Sequence, residues 1–214
     1  MKYKLDAQKT KDADTQKGNV RISETGAYKG EFVQAKKCVA GSGTEGVEFT
    51  FQAEDGSTAN WMRLYTVKAD GTEVFGMGLI MAAMTCLKVR EMEPETITIE
   101  EWDKSANAKL PVEIENYTAL CHKPIGVLLQ KELKDNDKFA MNIIGFFEAS
   151  TDKTATEILE KKPATALVKK IAALHDRDSR SKDDGTDGGF SAPAPAAVVP
   201  PPGDFDDFDN DLPF

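Results

Sequence analysis

The chain has 214 residues, 40% hydrophobic and 29% charged, enough for one sizeable core with appendages, and it holds no run of 18 apolar residues. The first twenty residues are too polar for a secretory signal, and Cys38, Cys86 and Cys121 form no Cys-x-x-Cys pair, so a soluble cytoplasmic protein with neither a disulfide framework nor a zinc ribbon is expected. The formal charge of −9 argues against a nucleic-acid binder only until it is divided: from His175 onward three basic residues face ten Asp, whereas residues 1–40 hold nine Lys/Arg against five Asp/Glu.

Residues 1–25 form a polar arm in which Lys9, Lys11 and Lys17 are read as a solvated terminus ahead of a DNA-binding one. Gly26 to Val39 is a β-rich stretch that ends in a flexible Gly-rich loop through Gly46. In 47–53, Val47, Phe49 and Phe51 alternate with Glu48, Thr50 and Gln52, the period-two pattern of a half-buried strand, with the two Phe assigned to the core. Asp55-Gly56 turns the chain into a third strand, 58–68, with Met62 and Leu64 on the core side and Trp61, Arg63 and Tyr65 facing outward.

Asp70-Gly71 closes that strand. Met77, Ile80, Met81, Met84 and Leu87 then recur at helical spacing, which predicts a helix over 77–89 ended by Glu93-Pro94. Two strong strands follow, 125–133 and 139–149, joined by an Asp135-Asn136-Asp137 turn, with short extra strands at 96–99 and 112–114. Three strands, a helix and two strands is the order of a mainly β, five-stranded OB-type Greek-key barrel, occupying residues 26–150 with its helix between strands 3 and 4. A C-terminal helical segment, 151–175, opens on a Thr154/Glu157 capping box and is divided by Pro163.

An outward row of aromatic and cationic side chains can stack bases and neutralise phosphates, so Trp61, Arg63 and Tyr65 are candidate ligands for single strands. Lys29, Lys36 and Lys37 lie on or at the end of the first strand, the last two beside the Gly-rich loop. That loop lacks the Gly-Lys-Ser/Thr ending of a P-loop. Cys121-His122 has no second Cys/His pair at ligand spacing, and two histidines support no catalytic arrangement. No enzyme activity, metal or cofactor is therefore expected.

Beyond Leu174 the composition turns to Asp, Ser, Gly, Pro and Ala, giving a disordered linker over 176–203. The last segment, 204–214, alternates five Asp with Phe205, Phe208, Leu212 and Phe214, a solvated peptide with apolar anchors suited to a partner's pocket. The terminal Asp209-Asn210-Asp211-Leu212-Pro213-Phe214 resembles the acidic tip of bacterial single-stranded DNA-binding proteins, a run of Asp followed by Ile-Pro-Phe, with Asn210 and Leu212 departing conservatively. Over roughly 20–150 the body is similar to phage-encoded single-stranded DNA-binding proteins, in its opening Gly26-Ala27-Tyr28-Lys29-Gly30, its Tyr65-Thr66, its Asp-Gly turn and its Met/Leu-rich helix.

The resemblance implies a barrel that coats single-stranded DNA without strong sequence preference in replication, recombination or repair, in the cytoplasm of a bacterial host. It adds Tyr28 to the DNA-binding set. It also implies recruitment of a helicase, primase, nuclease or polymerase through Asp209, Asp211, Leu212, Pro213 and Phe214, with a homo-oligomer possible and no membrane partner. The alternatives are an acidic-tailed adaptor or chaperone without DNA affinity, and a protein that anneals complementary strands. The 28-residue linker reaches about 30 Å as a flexible chain, so the acidic tip is expected to compete with DNA for its own barrel at low salt.

Overall fold

The computed structural model describes residues 20–103, 105–135 and 138–180. These form a mainly β protein of eight strands: β1 (Gly26–Val39), β2 (Glu45–Ala53), β3 (Thr58–Val67), β4 (Glu95–Asp103), β5 (Ala108–Asn116), β6 (Pro124–Leu133), β7 (Phe139–Phe147) and β8 (Arg177–Asp178). Three α-helices accompany them: α1 (Phe75–Leu87), α2 (Ala155–Leu159) and α3 (Ala166–Ala173). The arm at 1–19, most of the linker and the whole tip at 204–214 lie outside the described residues.

The sheet runs β3-β2-β1-β5-β4, with β6 and β7 joined to it through β1. All of its ladders are antiparallel except the short β6–β8 pair. Strand β1 is shared: Gly26 to Glu31 pair with β6, and Gly30 to Val39 pair with β2. β3 and β7 approach each other, but no ladder links them among the described residues.

The core fills the space between this curved sheet and α1. Phe32 stands at its centre, with ring centroids 4.5 Å from Phe49, 5.9 Å from Phe51 and 6.0 Å from Phe146. Phe49 and Phe51 are fully buried, in keeping with the alternation along β2. Gly76 lets the first turn of α1 close onto β3, since a Cβ there would lie 2.0 Å from the Tyr65 carbonyl oxygen. The thiols of Cys86 and Cys121 are buried, and burial pushes Cys86 up to about 12, which leaves it inert.

Several expectations need correction. The expected short strands 96–99 and 112–114 are parts of two nine-residue strands paired as a hairpin from Glu95↔Asn116 to Asp103↔Ala108, and the two-residue β8, for which the sequence carries no signal, brings the described strands to eight. The helix ends at Leu87, well before Glu93-Pro94. Lys88 adopts a left-handed conformation (φ 56°), and the Val89 N–H caps the Met84 carbonyl. The Gly-rich loop is a tight hydrogen-bonded turn, with Ala40 N–H donating to the Thr44 carbonyl and Gly43 N–H to that of Ala40.

The Thr154/Glu157 capping box is present, and Pro163 falls between α2 and α3. Glu157 has a second use: its Oε1 accepts from the Thr165 and Ala166 N–H groups at 2.6 and 2.7 Å, so one carboxylate caps both helices. These backbone donors, Thr165 first, hold its carboxyl down at about 2.

Candidate nucleic-acid interface

The outer face of β1–β3 carries the candidate residues, and a fault in the ladder decides how the most exposed of them is presented. β2 and β3 pair Phe49 with Met62 but Phe51 with Ala59, so three steps on β3 oppose two on β2. The extra residue makes a bulge, a device that re-aims side chains. Ala59 and Met62 both remain buried, and Trp61 is turned out between them at 67% exposure with φ 59°. A bulky residue at positive φ is costly, as is an exposed indole. Beside it, Asn60 Oδ1 is buried and accepts no hydrogen bond from the described residues.

Arg63 and Tyr65 follow Trp61 on the same face, with Met62 and Leu64 buried beneath. Arg63 opposes Glu48 on β2, which opposes Lys36 on β1. Arg63 Nε lies 2.5 Å from Glu48 Oε2. The Glu48 carboxylate, by accepting this bond and by its charge, pushes the guanidinium above its ordinary value, with a smaller contribution from Tyr65.

Lys36 continues the row and reaches Glu101 of β4 at 3.4 Å. Across the sheet the charges therefore alternate, Arg63, Glu48, Lys36 and Glu101, and cancel. This is the main feature missed by reading β3 alone, since Glu48 joins the site only through the register.

The other candidates are placed elsewhere. Lys37 projects from the opposite face of β1 to Lys36, its cross-strand neighbour Val47 is buried, and its ammonium lies 3.9 Å from Glu45 and from Glu115. Lys29 and Tyr28 sit on the half of β1 that pairs with β6. Lys29 is ion-paired to Asp152 at 2.8 Å. The Tyr28 hydroxyl donates to the Glu24 carbonyl at 2.8 Å, and its ring packs on the core. Burial pushes its phenol upward. The tip residues Asp209, Asp211, Leu212, Pro213 and Phe214 lie outside the described residues.

A second exposed indole, Trp102 on β4, stands opposite Lys109 on β5 at 59% exposure. Its position near the hairpin turn follows from the strand pairing, and the alternation in 96–99 alone does not reach it. Among the described residues, no group of His, Cys, Asp and Glu is arranged to hold a metal ion, and no helix is long and apolar enough to cross a membrane. Compared with protein-family models and with curated proteins, the chain matches none.

The pairing of Arg63 with Glu48 makes a prediction for any anionic ligand on this face. Glu48→Gln frees the guanidinium, and oligo(dT) affinity is expected to rise several-fold at low salt. One further phosphate contact should steepen the slope of log K against log salt by about 0.7. Anisotropy titrations at four salt concentrations measure both, and an unchanged slope would mean that Glu48 does not restrain Arg63.

Proposed function

We propose that this chain is a sequence-tolerant single-stranded DNA-binding protein of the phage-encoded type, working in the cytoplasm of a bacterial host. Trp61 carries the reading: a large aromatic side chain held out to solvent on a bulged strand at a backbone cost, with Arg63 and Tyr65 beside it. Stacking on an aromatic ring needs no particular base, because every base has a π-face, and the neighbouring cation meets the phosphate. The proposal contains no catalytic step.

The strand connections support an OB-type barrel made of β1, β2, β3, β6 and β7, with the β4–β5 hairpin inserted after α1. β1 pairs with both β2 and β6, and β6 with β7, as the first, second, fourth and fifth strands of such a barrel do. The tip, 204–214, is proposed to recruit a replication or recombination enzyme, its terminal Phe filling an apolar pocket and its carboxylate meeting a basic rim.

The neutralised row favours a second reading, an acidic-tailed adaptor without DNA affinity. Titration of labelled oligo(dT) and a matched duplex, at two salt concentrations and with and without residues 204–214, separates the two. Tight, salt-weakened binding of the single strand, strengthened at low salt when the tip is removed, is expected. No binding by either form would leave the adaptor reading standing.

A further inference from the structure

The β4–β5 hairpin leaves the sheet as an arm, joined to β1 in register only at Lys36↔Asn116. β4 is an outer strand, and among the described residues its sole ladder is with β5. Every second residue of its nine therefore turns an N–H and a C=O away from β5. Proteins usually blunt such an edge with charged side chains, Pro, a bulge or a short strand, and the charges on β4 are all acidic, so they repel an acidic strand but not a cationic one. β4 has no Pro, Gly or Lys, and its register with β5 runs unbroken. Its N-terminal half includes Thr96-Ile97-Thr98-Ile99, all β-branched residues, which favour strand pairing.

The arm also has an apolar face. Ile97 and Ile99 lie opposite Ile114 and Val112, and Leu110 is on the same side. Ile114 is buried at the root, but Leu110 and Val112 are exposed. Residues 95–116 carry six acidic groups against two basic ones. Glu95 accepts from the Thr118 hydroxyl, Glu101 meets Lys36, and Asp103 accepts from the N–H groups of its own turn.

Charge selects the occupant. A nucleic-acid strand is repelled by this arm. A second copy paired antiparallel along the whole of β4 sets Glu95 against Asp103 at both ends of the ladder, and opposed like charges destabilise a ladder.

We propose that the free edge of β4 accepts an extended, lysine- or arginine-bearing segment of a partner protein as an added strand. Backbone bonds to the edge supply affinity. Its apolar side chains lie beside Ile97 and Ile99, and its cations, alternating to the other face of the sheet, meet Glu100, with Glu113 one strand behind it. This surface is separate from the DNA reading and does not depend on it.

The test uses the full chain and a fluorescein-labelled decapeptide of alternating Lys and Val, read by anisotropy, beside a peptide of equal charge with Pro in place of Val. Saturable binding of the Lys-Val peptide is expected, with at least tenfold weaker binding of the Pro peptide. Thr98→Lys/Glu100→Lys, two exposed edge positions, should weaken the Lys-Val peptide at least tenfold, and removal of 204–214 should change it by less than twofold. Hydrogen exchange on the unaltered protein should show peptide-dependent protection within 95–103, a readout independent of how the variant folds. Absence of saturable binding, equal binding of both peptides, loss on removing the tip, or self-association abolished by the double variant would each overturn the assignment.

Discussion

Trp61→Gly is expected to lower oligo(dT) affinity by about 5- to 150-fold, the equivalent of the roughly 1–3 kcal/mol that one stacked base contributes, while leaving thermal stability unchanged or slightly higher. The asymmetry comes from the backbone. At φ 59° the indole occupies a conformation that costs an L-residue about 1–2 kcal/mol and glycine almost nothing. The gain is partly offset by the greater freedom of glycine in the unfolded chain, about 0.5–1 kcal/mol. With the side chain 67% exposed, little packing is lost. Thermal melts and anisotropy titrations on the same variant give both quantities. A fall in melting temperature with unaltered DNA affinity would show that Trp61 serves packing instead.

Glu132→Ala is expected to destabilise the fold by about 3 kcal/mol, toward the lower end of the cost of breaking a buried ion pair because its cationic partners are partly exposed. In a chain of this length that lowers the melting temperature by about 6–12 °C. Glu132 is 6% exposed. One carboxylate oxygen accepts from Lys134 at 2.5 Å and Asn142 at 2.7 Å. The other accepts from the Ser179 hydroxyl at 2.5 Å and lies 3.7 Å from Arg177. It thereby fastens β8 to β6, and its loss should expose 175–180 to proteolysis.

The same contacts, Lys134 first, pull its carboxyl from 4.5 to about 2. A depressed carboxyl stabilises the fold fully above its unfolded value and ceases to do so as pH falls through the folded one. Stability linked to Glu132 should therefore disappear between about pH 4.5 and 2. Glu157 titrates in the same window, so the quantity to measure is the difference between the wild type and Glu132→Gln. A pH-independent difference would contradict the assignment.

What could be read from the sequence was local. The alternation in β2 placed Phe49 and Phe51 in the core, and the Thr154/Glu157 spacing located the start of α2, because each signal lies within one element. The second use of Glu157 was invisible, since Thr165 is brought to it by the path of the chain around Pro163. The bulge was missed because Trp61, Met62, Arg63 and Leu64 alternate correctly, and the parity changes only between Ala59 and Met62. Glu100 and Glu101 interrupt the apolar pattern of β4 after Ile99, although pairing with β5 carries the strand on to Asp103. Neutralisation of Arg63 and Lys36 required knowledge of which carboxylates the neighbouring strands bring alongside.

The division of β1 between two ladders also orders events during synthesis. Its C-terminal half can pair with β2 as soon as the following hairpin emerges, but its N-terminal half waits for β6, roughly a hundred residues later at Gly26↔Leu129. At translation rates of about 5–20 residues per second, that interval lasts about 5–20 s. Throughout it the nascent chain carries a half-paired strand whose outer edge is open to neighbouring polysome products. The ribosome-bound intermediate thus exposes an edge of β1 that the finished fold covers, and delivery of β6 is the step that ends the exposure.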